Sequence, residues 1–167
     1  MLKKLIVGIA IIFLSSISSH AEEKPALISF KVMTLETAQK LAQATLDNCR
    51  ERGYQVAVSV VDRFGSLQVT LRDRFAGGHT PETARRKAWT AVSFRSDTLT
   101  LSEETKAGTA ASGVRLIQNA LMIGGGVPVE SGGSVVGALG VSGAPGGVRD
   151  DECARFGIES IADLLEF

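Results

Sequence analysis

Beyond residue 21 the chain carries a single imidazole, His79, and two thiols, Cys49 and Cys153. Protein metal centres built on nitrogen and sulfur need several such ligands at short spacings. One histidine with two cysteines about a hundred residues apart supplies no such set. His79 nevertheless has company: Arg72, Arg74 and Phe75 come just before it, and Arg85, Arg86 and Lys87 follow. An imidazole can ligate a metal or carry a proton near neutral pH, and the cations could meet carboxylates. A solvated loop histidine beside a basic helix face has the same spelling. The carboxylates have structural readings. Asp62 forms a turn, Asp150 caps a helix, and Asp73, between Arg72 and Arg74, is ion-paired. No Ser/His/Asp or Cys/His arrangement can be assigned from spacing, so hydrolase chemistry finds no support. The glycine-dense stretch 124–147 lacks a Gly-Lys-Ser/Thr and reads as tight turns and close packing rather than a phosphate loop.

The elements that must position these residues follow from periodicity. From Thr34, a plausible N-cap, Leu35, Ala38, Leu41, Ala42, Thr45, Leu46 and Cys49 share one helical face, and Gly53 stops the helix. Residues 54–62 and 66–72 pair as a hairpin about Asp62-Arg63-Phe64-Gly65. Thr80-Pro81-Glu82 starts a second helix that runs to about Phe94, with Ala84, Ala88, Ala91 and Val92 inward and Trp89 off that stripe. Residues 96–112 read as loop with at most a short helical turn. Residues 120–123 and 134–142 read as strands, residues 143–149 as a glycine-rich loop, and Asp150 as the start of a last helix with a stripe of Ala154, Ile158, Ile161 and Leu165. This order predicts an α+β fold, an antiparallel sheet flanked by N- and C-terminal helices and a central helix.

The N-terminus predicts export. Lys3 and Lys4 precede an apolar run from Leu5 to Leu14 and a small-residue stretch ending at Ala21, the pattern of a secretory signal peptide over residues 1–21. The run is too short to span a ~30 Å hydrocarbon core. Cleavage at Ala21/Glu22 leaves a short lead-in, residues 22–32, and one domain, residues 33–167, in the periplasm or secreted, with no membrane attachment. Removing the two lysines leaves that remainder slightly acidic, and no basic stripe or aromatic run marks a nucleic-acid partner. Export favours a disulfide. However, Cys49 lies on the inner stripe of the first helix and Cys153 on the flank of the last, about 100° from Ala154. The expectation is two free, buried thiols.

Taken in order, several segments resemble the GlcG/HbpS family of haem-binding and haem-degrading-like proteins. They are Val60-Val61-Asp62-Arg63-Phe64-Gly65-Ser66-Leu67, Lys87-Ala88-Trp89-Thr90-Ala91, Gly124-Gly125-Gly126-Val127-Pro128-Val129, Gly137-Ala138-Leu139-Gly140-Val141-Ser142-Gly143-Ala144 and Asp151-Glu152-Cys153-Ala154. A sixth, Arg72-Asp73-Arg74-Phe75-Ala76-Gly77, is an altered form of the family's Arg-Met-Asp-Gly-Ala element. The resemblance spans residues 33–167. It implies a profilin-like fold, assembly into homo-oligomers and, for some members, haem binding in haem or iron sensing.

Haem needs an apolar slot, an axial ligand and cations for its propionates. His79 is the candidate axial ligand, with Arg72, Arg74, Phe75 and Lys87 around it. Trp89 is the candidate oligomer contact, since Trp is enriched at interfaces. The reading is an exported small-molecule-binding protein with haem as its ligand. An enzyme or accessory protein acting on a small organic acid without haem is the alternative.

Overall fold

The computed structural model describes residues 25–166. The expected signal segment, residues 1–21, lies outside the described residues. The chain divides into two units, Met1–Phe30 and Lys31–Phe167. Of the first, residues 25–30 are described, and Leu27, Ile28 and Phe30 are exposed. All that follows concerns the second.

Helix α1, Leu35–Glu51, begins where the Thr34 hydroxyl accepts the Thr37 N–H at 3.2 Å. It ends at Gly53, whose φ of 81° admits the left-handed turn that lets Tyr54 donate back to the Cys49 carbonyl at 2.9 Å. Strands β1, Ala57–Asp62, and β2, Leu67–Arg72, form the expected hairpin. Its turn is held by Asp62, which accepts the N–H groups of Phe64 at 2.8 Å and Ser66 at 2.9 Å. Helix α2, Thr80–Phe94, starts one residue earlier than a Thr80 cap would place it, and the Thr80 hydroxyl donates backward to the Gly77 carbonyl at 2.8 Å.

Past α2 the chain departs from expectation. Within the segment read as loop, Asp97 caps a short helix, α3, Thr98–Glu104, by accepting the Thr100 N–H at 2.7 Å. Residues 120–123 are not a strand: Ala120 and Met122 pack with Leu101 in a small separate cluster, and the Leu121 N–H goes to the Thr90 hydroxyl at 2.9 Å. The third strand, β3, is Gly126–Ser131. It lies on an edge of the sheet, where Pro128 removes no needed donor. Strand β4, Ser134–Ser142, pairs with it. The last helix, α4, Gly147–Glu159, opens three residues before Asp150, after Gly146 at φ 96°.

The four strands form one antiparallel sheet in the order β2-β1-β4-β3. One face carries α1 and α4. Leu41, Leu46 and Ala154 pack there on Val56, Val58, Val60, Val129, Leu139 and Val141. The other face carries α2, whose Ala88, Ala91 and Val92 meet Val61 and Ala138. Small residues set that spacing: a Cβ at Gly140 would lie 2.8 Å from the Ala88 backbone nitrogen. Among the described residues no helix is long and apolar enough to cross a membrane.

The thiol expectation is overturned. Cys49 and Cys153 form a disulfide with their Cα atoms 5.6 Å apart. The cause is the crossing of α1 and α4. Gly157 leaves so little room that a Cβ there would come within 2.8 Å of the Thr45 Cβ. One turn from that point along each helix stand Cys49 and Cys153. Cys153 therefore lies on the buried stripe and not on its flank.

Candidate functional site

A cleft of about 710 Å³ opens beside the N-terminal half of α2, within the size range of small-molecule sites. Five parts of the chain wall it. The segment after α1 gives Tyr54, the β2–α2 loop gives Phe75 and His79, and α2 gives Thr83, Arg86 and Lys87. The glycine-rich run from Ser142 to Gly147, with Leu121 and Ile123, closes it. His79, Phe75 and Lys87, grouped by sequence alone, thus share one cavity.

The three are disposed differently. His79 is exposed, with its ring folded close to Gly77, where a Cβ would lie 2.8 Å from Cε1. Phe75 is 79% exposed and stands at the mouth. Lys87 points inward and is only 1% exposed. Its ammonium donates to Asp150 Oδ2 at 2.7 Å and to the Val141 carbonyl at 2.9 Å. The open cation expected at position 87 is therefore an internal ion pair at the floor. Burial pulls the Lys87 amine below its ordinary range, against the opposing pull of the Asp150 and Asp151 charges. Burial likewise pushes the Asp150 carboxyl up, opposed by Lys87 and by the N–H groups of Ala144 and Gly143.

Arg72 and Arg74 are exposed and do not line the cleft, and the Arg74 guanidinium lies 5.9 Å from the Phe75 ring centre. Arg86 does line it, with its guanidinium donating to the carbonyls of Asn119 at 3.3 Å and Ala120 at 2.8 Å. Asp73 is ion-paired as expected, but with Arg50, at 2.6 Å, rather than with its sequence neighbours. Trp89 is half-buried over the hairpin, where a Cβ on Gly65 would lie 2.8 Å from its Cδ1.

Sequence reasoning missed the partner of Lys87. Asp150 is not the cap that the sequence suggests: it lies within α4, which has no side-chain cap, and its oxygens accept instead from the loop Ala144 N–H at 2.9 Å and from the lysine. The two lie on different elements with no spacing to link them. A second cleft, of about 640 Å³, lies by Arg95, Asp97 and Arg155. There Arg155 holds Asp151 at 2.7 Å and Asp97 at 3.5 Å.

Residues 33–159 match the family model described as haem degrading protein HbpS-like. The chain belongs to the HbpS-like family. Among solved structures, that of HbpS superposes with a TM-score of 0.76 at 38% identity, covering 81% of this chain and 94% of that one. The complex of PduOC with haem superposes with a TM-score of 0.73 at 30% identity, covering 78% and 95%. The corrinoid adenosyltransferase PduO of Salmonella typhimurium is 33% identical over 135 residues, which are 79% of this chain but only 38% of that protein. The α+β layering expected from the sequence is thus that of the HbpS structures.

Proposed function

We propose that this HbpS-like protein binds haem in the cleft of His79. What carries the reading is one conjunction: the chain's lone imidazole beyond residue 21 shares a cleft with Phe75, Leu121 and Ile123, in a fold whose solved relatives include a haem complex.

The residues present fit the group. Haem asks for an axial donor, apolar contact for the macrocycle and cations near its carboxylates. His79 offers the nitrogen donor, and Phe75 and Ile123 the apolar surface. Arg86 is the cation on the wall, with Arg72 and Arg74 exposed nearby in sequence. Lys87, neutralised by Asp150, is not part of the propionate set. Bound haem would supply an iron centre able to exchange ligands and electrons, held by His79 with Phe75 and Ile123 as its apolar contacts. Phe75 at 79% and Ile123 at 46% exposure leave apolar surface at the mouth. A second copy of the chain covers it in this reading, in keeping with a homo-oligomer.

The reading includes export. Residues 1–21 have the secretory pattern, and the Cys49–Cys153 bridge suits an oxidising compartment. Protein recovered from the cell envelope begins at Glu22 if this holds.

Titration of the purified protein with haemin tests the binding. The expected result is a Soret shift that saturates at a fixed ratio of haem to chain. An unshifted spectrum contradicts it. Repeating the experiment with a reductant and oxygen separates storage, in which the Soret band persists, from degradation, in which it decays.

A further inference from the structure

Haem binding makes no use of the best-buried charge in the cleft. Lys87 and Asp150 are 1% and 4% exposed, and both border the cleft. We propose that Lys87 is an imine-forming amine for small carbonyl compounds, aldehydes or 2-oxo acids, with Asp150 taking and returning the proton.

The geometry supports each part. The Lys87 side chain and Asp150 both border the cleft. The amine has three donors, and two acceptors are in place among the described residues, Asp150 Oδ2 at 2.7 Å and the Val141 carbonyl at 2.9 Å. The third N–H is left to an incoming carbonyl oxygen. The Gly125 backbone packs close to the amine, a Cβ there lying 3.1 Å from Nζ, and Gly143, Gly146 and Gly147 border the cleft. Burial lowers the amine's proton affinity and raises that of Asp150, so both directions favour passing the proton between them. Desolvated lysines are the amines that form Schiff bases.

The step balances without an outside oxidant or reductant. The ammonium gives a proton to Asp150, and the neutral amine adds to the carbonyl carbon. The C–N bond forms as the π pair moves to oxygen, which takes a proton from nitrogen. The carbinolamine hydroxyl then leaves as water with the proton returned by Asp150. A protonated imine remains, facing the Asp150 carboxylate where the ammonium had been.

The inference does not rest on haem, and its test is read separately from any Soret band. The full chain is incubated at neutral pH with glyoxylate or glycolaldehyde and cyanoborohydride, and labelled lysines are located by peptide mass spectrometry. Exposed Lys31, Lys40 and Lys106 are internal references. The expected result is Lys87 labelled several-fold faster than these, because burial lowers its proton affinity. The preference vanishes in urea, and Asp150→Asn, checked for fold by circular dichroism, slows the labelling. Lys87 unlabelled in the folded protein, or labelled no faster than Lys40, overturns the proposal.

Discussion

Replacing Lys87 by methionine keeps most of the side chain's length and removes its charge. Asp150 then stays 4% exposed with one oxygen still held by the Ala144 N–H at 2.9 Å and the other stripped of a donor at 2.7 Å. Removing one member of a buried pair costs about 3–5 kcal/mol. The surviving Ala144 bond places this case near the lower end, about 3 kcal/mol at pH 7. For a domain of this size that is a fall in melting temperature of roughly 6–12 °C. The loss depends on pH with a definite sign. The Asp150 pKa is raised in the fold by burial, more so without the lysine. Its protonation therefore supports the folded state below the unfolded carboxyl value of about 4, and that support disappears as pH rises through the folded value. The deficit of Lys87→Met against wild type is thus largest at neutral pH and shrinks on acidification. Adding Asp150→Asn, which keeps the acceptor for Ala144 without a charge, recovers more than half of the loss. Urea unfolding of the three proteins at pH 7 and pH 4 is the assay. A deficit below about 1 kcal/mol, or one that grows as pH falls, refutes the reasoning.

Four further outcomes follow from the packing. Asp97→Ala removes the cap of α3 and costs about 1 kcal/mol at pH 7. Burial opposes ionisation of Asp97, but the Thr100 N–H and hydroxyl and Arg155 outweigh it and hold its pKa down. This contribution is therefore present above the unfolded value and lost as pH falls through the folded one, so the difference between variant and wild type in urea midpoint closes in acid. Gly140→Ala drives a methyl group against the α2 backbone and costs about 3 kcal/mol, the upper end for overpacking, read as a lowered melting temperature. Denatured, unreduced protein shows no reactive thiol. Replacing Cys49 and Cys153 by alanine costs up to about 5 kcal/mol in the chain-entropy account of a loop this long, measured by urea unfolding.

The first half of the fold is legible in the sequence because each element there is written in local terms. The 3.6-residue stripe from Ala38 to Cys49, the Asp62–Gly65 turn and the Thr80-Pro81 start need no distant partner to be recognised. The second half is not, because its signals are tertiary. Pro128 and the flanking glycines disguise β3, which is acceptable as a strand only because it is an edge. Residues 120–123 have a strand's composition but pack against Leu101 instead of joining the sheet. The disulfide depends on Gly157 meeting Thr45 at a helix crossing, which no stripe on either helix reveals alone. The site divides the same way. His79 and Phe75 are neighbours in the chain and remain so in the cleft. Lys87 finds its partner across the fold, and with it a role other than that of a surface cation.

The central claim, a haem site at His79, is tested most directly by haemin titration of wild type and His79→Ala side by side. The variant should keep its circular dichroism spectrum, because His79 is exposed, while its Soret band moves and its affinity falls at least tenfold. An identical spectrum and affinity in the two proteins would contradict the account and place the iron ligand elsewhere.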